Sequence, residues 1–322
     1  MDGINQVSKL VRIHTMNQIT KQFVLGAHWL SVAFALRNYT ALQLAMEITV
    51  KNGGKIFEIP FILCEIGWEK VAMAANAAGI KEISFCHLWP YGPDGKPVCG
   101  DPLGTSEDVK MALATIDRII EAAEIIRAGG IEVRFISGPT WGGLGKEYSG
   151  DKNARDVRVV EFLRQAGDKC KKAGLILAVE FLRPVEDKVI GGTVAMVRIL
   201  QLVNHPAVMM HFDVFHSIEC GEDLARSILY ALKFIAYLHL HGDGRLAPGQ
   251  EGDKRNWPSI IDAAKQIDSG VENIPVVSEP FGQQTCEEEP ALGIGLPPML
   301  PFGEYLPLAF GTLRAAGLPL AA

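Results

Sequence analysis

The sequence predicts a single closed α/β barrel of eight βα units, for three reasons. Apolar runs of five to eight residues alternate eight times with helical periodicities along the 322 residues. The runs are continuously apolar, as expected of parallel strands buried on both faces, rather than strictly alternating. No GxGxxG turn follows the first run and no Walker loop occurs anywhere, which disfavours an open nucleotide-binding sheet. The length suits one such barrel and no composition break marks a second unit, so 1–322 is expected to be one domain.

The elements follow in order. FVLGAHW (23–29) is the first strand, and the helix over YTALQLAMEITVK stops at Gly53–Gly54. KIFEIPF (55–61) is the second strand, with EKVAMAANAAGI as its helix, and ISFCHLW (83–89) is the third. A Gly/Pro-rich loop, YGPDGKPVCGDPLG, leads to a long helix opening at TSED, where Thr105 or Ser106 can cap and the acids suit the helix dipole. VRFISGP (133–139) is strand four; a helix over about 154–173 leads to LILAVEF, strand five. TVAMVRILQLV precedes VMMHFDVF, DLARSILYALKF precedes YLHLH, and WPSIIDAAKQI precedes IPVVSEP, giving strands six to eight. YLPLAFGTLRAAGL forms the last helix, while 1–20 is an N-terminal extension and 286–303 a Pro/Gly-rich loop before that helix.

Composition narrows the function. A net charge of −6 argues against a nucleic-acid groove, which must neutralise phosphates. No apolar run approaches the ~20 residues of a membrane span, and the first twenty residues lack an apolar signal core. The six cysteines are scattered without a CxxC pair and read as reduced thiols, so the expected compartment is cytoplasmic.

Four strand ends carry the chemistry. Glu180 closes LILAVE, Asp213 sits in MMHFD, His241 closes YLHLH and Glu279 closes IPVVSE, spaced 33, 28 and 38 residues apart. A lone carboxylate at such a place commonly caps the next helix. Four together form a set that suits a divalent metal, since a carboxylate at the tip of a buried strand is costly unless paired or metal-bound. Counting in twos puts all four on the inward face at one end, where barrel active sites collect. His211 and His239 share that face one layer deeper and read as hydrogen-bonded core histidines rather than ligands. Glu186, His216 and Arg245 follow three of the ligands by six, three and four residues, in loops where a substrate's oxygens would be held. His87, at the end of strand three, is a minority candidate for lining the pocket, and Trp29, Trp89 and Trp141 are given no role beyond filling the barrel top.

These segments resemble the xylose-isomerase-like TIM-barrel superfamily, and within it the ketose 3-epimerases acting on D-tagatose, D-allulose (psicose) and L-ribulose. VEFLRPVE is similar to the segment in which a metal-binding catalytic Glu precedes a substrate-binding Glu, and HFDVFHSIE to that of an Asp ligand followed by a substrate-contacting His. HLHGDGRLAPGQEG resembles the segment that supplies a metal-binding His and a substrate-gripping Arg, and SEPFG the final ligand and catalytic Glu. KIFEIPF and GPTWGGLGKEYSG resemble the second- and fourth-strand segments, so the likeness runs from about 23 to 282. The turn GDG is two residues shorter than the family's, and the N-terminal extension and the 286–303 insertion are extra.

The resemblance implies an isomerase that epimerises carbon 3 of a free ketose through an enediolate. Glu180 and Glu279 would be ligands and the paired acid and base, Asp213 and His241 ligands only, and Glu186, His216 and Arg245 would bind the sugar. The implied ion is Mn²⁺, with Co²⁺ or Mg²⁺ also suited to a carboxylate-rich shell. A homo-oligomer, a dimer or tetramer, is expected. The same scaffold also admits an aldose–ketose isomerase, a dehydratase, a lyase cleaving 3-keto C-glycosides, or an inactive partner subunit. A repair endonuclease on this barrel would need more histidines and a basic groove.

Overall fold

A computed structural model of the chain describes residues 21–28, 38–92, 94–143, 145–279 and 300–321. The N-terminal extension, Trp29, Cys286 and residues 286–299 of the Pro/Gly-rich segment therefore lie outside the described residues. Eight parallel strands close into one barrel in chain order. They are β1 (Phe23–His28), β2 (Ile56–Pro60), β3 (Glu82–Cys86), β4 (Phe135–Gly138), β5 (Ile176–Glu180), β6 (Val208–Asp213), β7 (Ile235–His239) and β8 (Ile274–Ser278).

Helices alternate with the strands on the outside. Among the described residues these are α1 (Tyr39–Lys51), α2 (Trp68–Ala78), α3 (Ser106–Ala128), α4 (Lys152–Lys172), α5 (Thr193–Val203), α6 (Val214–Glu219), α7 (Leu224–Tyr230), α8 (Trp257–Ala264) and α9 (Phe302–Ala315). The unit after β6 thus carries two short helices where the sequence reading allowed one.

Local chemistry sets the helix starts. Thr105, one of the two expected caps, closes α3 in a capping box with Asp108: the Asp108 N–H donates to the Thr105 hydroxyl at 3.2 Å and the Thr105 N–H to the Asp108 carboxylate at 2.9 Å. Asp151 caps α4 and Asn256 caps α8 through their side-chain oxygens. The apolar faces of these helices cover the outer face of the sheet, where Phe85, Phe181 and Phe212 are fully buried. Each such burial contributes roughly 1.5–3 kcal/mol. At the end where the strands begin, Arg134 donates to Glu82 at 2.6 Å and to the carbonyls of Glu272 and Asn273 at 3.0 and 3.1 Å. That one guanidinium ties three strand starts together. The C-terminal tail joins the same end, with the Ala321 N–H donating to Phe23 O at 2.9 Å.

Candidate functional site

The strand register decides what meets at the mouth. Glu180 lies beside His211 on β6, Asp213 beside His239 on β7, and His239 beside Val277 on β8. Strand tilt in a closed barrel staggers the levels in this way. His211 is therefore not a layer below Glu180 but level with it, with its Nδ1 3.8 Å from Glu180 Oε2. His241 stands two residues past the end of β7, beyond the last ladder hydrogen bonds, yet keeps the inward parity. It is fully buried, as are Asp213 and, to within a few per cent, Glu180 and Glu279.

Asp213 is the hub. Its Oδ1 takes the Phe215 N–H at 2.6 Å, which starts α6, and faces His241 Nε2 at 2.9 Å. Its Oδ2 is buried without a hydrogen bond, 3.6 Å from His239 Nδ1 and 3.8 Å from Arg245 Nη1. Burial opposes ionisation of Asp213, but the neighbouring His241 and His216 rings, His241 in hydrogen-bond contact, hold it well below the usual carboxylate range. Glu279 is likewise held down, against burial, by Arg245 in direct contact and then by His28 and His239. Glu180 goes the other way: burial, then the Asp213 charge, pushes its carboxyl well up.

Donor atoms converge in three overlapping groups: Asp213, His241 and Glu279; Glu180, Asp213 and His216; Glu180, His211 and His239. The two groups through Asp213 contain all four strand-end residues. With all three carboxylates ionised, the Arg245 guanidinium leaves two negative charges, which one divalent cation would balance. A cation at this place would satisfy the buried Asp213 Oδ2 and favour the ionised form of Glu180. The residues present fit a divalent metal. Glu180, Asp213, His241 and Glu279 would hold it, with His241 Nδ1 facing the Gly242 carbonyl at 3.4 Å so that Nε2 could turn to the ion.

The rim residues assemble beside this cluster. His216 Nδ1 accepts the Arg183 N–H at 3.1 Å. Burial lowers its pKa to about 3, and its Nε2 faces Glu180 and Asp213 at 3.8 and 3.9 Å and Arg245 Nη2 at 3.3 Å. Glu186 is fixed by Arg183 at 3.0 Å and lies 3.8 Å from His216. Arg245 reaches the site despite the shortened turn. Gly244 and Arg245 adopt φ of 58° and 66°, two consecutive left-handed residues that fold Asp243–Arg245 tightly. Its guanidinium stacks 4.5 Å over Phe215 and meets Glu279.

His87 packs 4.3 Å from the Trp89 ring and near Phe61, a buried aromatic contact rather than a pocket wall. Trp141 does more than fill space: its indole N–H donates to the Glu180 carbonyl at 2.7 Å. Sequence reasoning also missed His28 and Glu58, which enter the same interior from β1 and β2. The signal was present, since Glu58 is a lone carboxylate inside the apolar run IFEIP. In the sequence it reads only as part of a strand, because it does not stand at a strand end.

Fold and site together define a closed (β/α)8 barrel with a buried, metal-competent cluster of acids and histidines at the carboxyl ends of its strands. The chain belongs to the xylose isomerase-like TIM barrel family, whose sequence profile matches residues 46–296. Solved structures with the same fold include a D-allulose 3-epimerase from Methylomonas sp. in complex with D-allulose (16% identity, TM-score 0.76, covering 92% of this chain and 98% of that one). An L-ribulose 3-epimerase aligns at 15% identity and TM-score 0.75, covering 92% and 96%. A D-psicose 3-epimerase from Clostridium cellulolyticum H10, solved with D-tagatose, aligns at 19% identity and TM-score 0.71, covering 93% and 100%. No curated protein sequence matches this chain. No helix among the described residues is long and apolar enough to cross a membrane.

Proposed function

We propose that this protein is a metal-dependent isomerase that inverts carbon 3 of a free ketose. The observation that carries the reading is the approach of Glu180, from β5, and Glu279, from β8, to one buried mouth with Asp213 and His241 between them. The family, and the solved D-allulose, L-ribulose and D-psicose 3-epimerases of the same fold, support it.

The donor set of three carboxylates and one imidazole suits Mn²⁺, Co²⁺ or Mg²⁺, of which we favour Mn²⁺. When bound, such an ion would supply Lewis-acid polarisation of adjacent substrate oxygens, which acidifies the neighbouring C–H. Inversion then needs a base on one face of carbon 3 and an acid on the other. Glu180 and Glu279 stand three strands apart on the ring and can flank a sugar. One takes the proton and the other returns it from the opposite side, with the roles exchanged in the reverse direction. The His216 ring and the Arg245 guanidinium would polarise the oxygens on carbons 1 and 2 as negative charge develops there. Glu186, braced by Arg183, would accept from a hydroxyl. Burial of the whole cluster excludes water from the carbanion-like centre. The charge balance favours a neutral sugar, because Arg245 is matched to Glu279 and Arg183 to Glu186.

The test is the Mn²⁺-reconstituted protein with free ketoses in D₂O, following carbon 3 by NMR, with Glu180→Gln as control. Deuterium at carbon 3 together with the epimeric ketose, both absent in the variant, is the expected result. No exchange with any free ketose would refute it and turn attention to dehydration or lyase chemistry on larger, glycosylated substrates.

A further inference from the structure

The interior layer directly beneath the mouth is polar, where a barrel of this kind normally packs branched apolar side chains. Glu58, in the middle of β2, is fully buried. Its carboxylate crosses the barrel to His239 on β7, with Oε2 2.8 Å from Nε2. The Ser137 hydroxyl donates to its other oxygen, and His28 Nε2 stands 3.5 Å away. The far atom of the same imidazole, His239 Nδ1, lies 3.4 Å from Glu279 Oε2 and 3.6 Å from Asp213 Oδ2. One rigid ring thus connects Glu58 to two of the four residues assigned to the metal. The ring is clamped edge-to-face by His211 at 4.1 Å and packed by His28 at 5.7 Å and Tyr237 at 5.8 Å.

A purely structural role is a poor account of this arrangement. A buried carboxylate is costly, and Glu82, another buried glutamate on a neighbouring strand, is compensated by Arg134 at the far end of the barrel. Glu58 is paired instead with a ring whose other nitrogen is aimed at the mouth. We propose that Glu58 is a positioning residue: through His239 it sets where Asp213 Oδ2 and Glu279 Oε2 stand, and so sets the affinity of the mouth for its divalent ion. The proposal rests on the metal-dependent reading above. A carboxylate behind a histidine is the usual device for fixing ring orientation near a metal, and its loss typically costs about 10–100-fold in metal affinity. Here the ring would act on the carboxylates around the ion and need not bind the ion itself.

The experiment is a Mn²⁺ titration of metal-free protein read by EPR of the free ion, which needs no substrate. Glu58→Gln keeps the volume and a hydrogen-bonding oxygen but removes the charge. It should weaken Mn²⁺ binding about 10–100-fold, whereas Glu82→Gln, which disturbs a buried carboxylate far from the mouth, should change stability and leave Mn²⁺ affinity within about twofold. Equal Mn²⁺ affinity in Glu58→Gln and the wild type overturns the proposal alone. A wild type that binds no Mn²⁺ overturns the metal-dependent reading, and this proposal with it. If Glu58→Gln does not fold, ¹⁵N-histidine NMR of the wild type decides the matter. Saturation with Mg²⁺ should shift His239 Nδ1 while Nε2 keeps its hydrogen bond, and an unmoved Nδ1 overturns the proposal.

Discussion

Replacing Arg245 with Lys keeps the charge at the mouth and removes the planar fork. Arg245 is 3% exposed, so no bulk water replaces a lost contact. One arm of the guanidinium meets Glu279, and the other lies 3.3 Å from His216 Nε2, in the space assigned to the substrate's carbonyl end. A lysine ammonium can satisfy one of these two directions but not both. The loss is then one buried, charge-assisted hydrogen bond, worth about 1.5–3 kcal/mol, made as charge develops on the substrate. Taking about 2 kcal/mol, kcat/KM should fall roughly 30-fold. Part of the stacking on Phe215 survives, because an ammonium also makes that contact. The assay is the initial rate of carbon 3 exchange in D₂O at saturating Mn²⁺, with metal affinity measured in parallel. An Arg245→Lys enzyme within about threefold of wild type would refute the reasoning, since the fork would then contribute only its charge.

Other outcomes follow from the same geometry. Trp141→Phe keeps an aromatic ring but removes the N–H that holds the Glu180 carbonyl, and should lower kcat by about fivefold for roughly 1 kcal/mol, with little change in KM. Chelation of a metal-loaded sample should lower Tm, because three buried carboxylates would face one guanidinium. Restoring Mn²⁺ at about 100 times Kd should return about 2.7 kcal/mol, read by calorimetry. The His87 ring is buried against Trp89 and Phe61, neither ring nitrogen has a hydrogen-bond partner among the described residues, and burial lowers its pKa to about 3. Between pH 6.5 and about 3 the unfolded chain therefore binds a proton that the folded one does not, and stability falls as pH falls across that window. His87→Leu should flatten the acid limb of a denaturation series by about 1.4 kcal/mol per pH unit, and an unchanged slope would show that His87 is protonated in the folded state.

The barrel and the identity of the strand-end set were legible in local pattern alone. Continuous apolar runs can be buried only if both faces are covered, and period-two counting fixes which residue of each strand faces inward. The cap of α3, at Thr105 or Ser106, was equally local and equally legible. Relative height was not legible, because the stagger between strands arises from barrel closure. Closure made His211 level with Glu180 and put Asp213 beside His239. The reach of Arg245 was also decided in three dimensions, by two left-handed residues that let a short turn do the work of a longer one. Glu58 and His28 belong to the same lesson. Each is one polar residue in an apolar strand, and only the folded barrel brings β1 and β2 around to face β7. Sequence patterns report what a residue's own strand will bury; which buried groups meet across the interior is settled by how eight strands close.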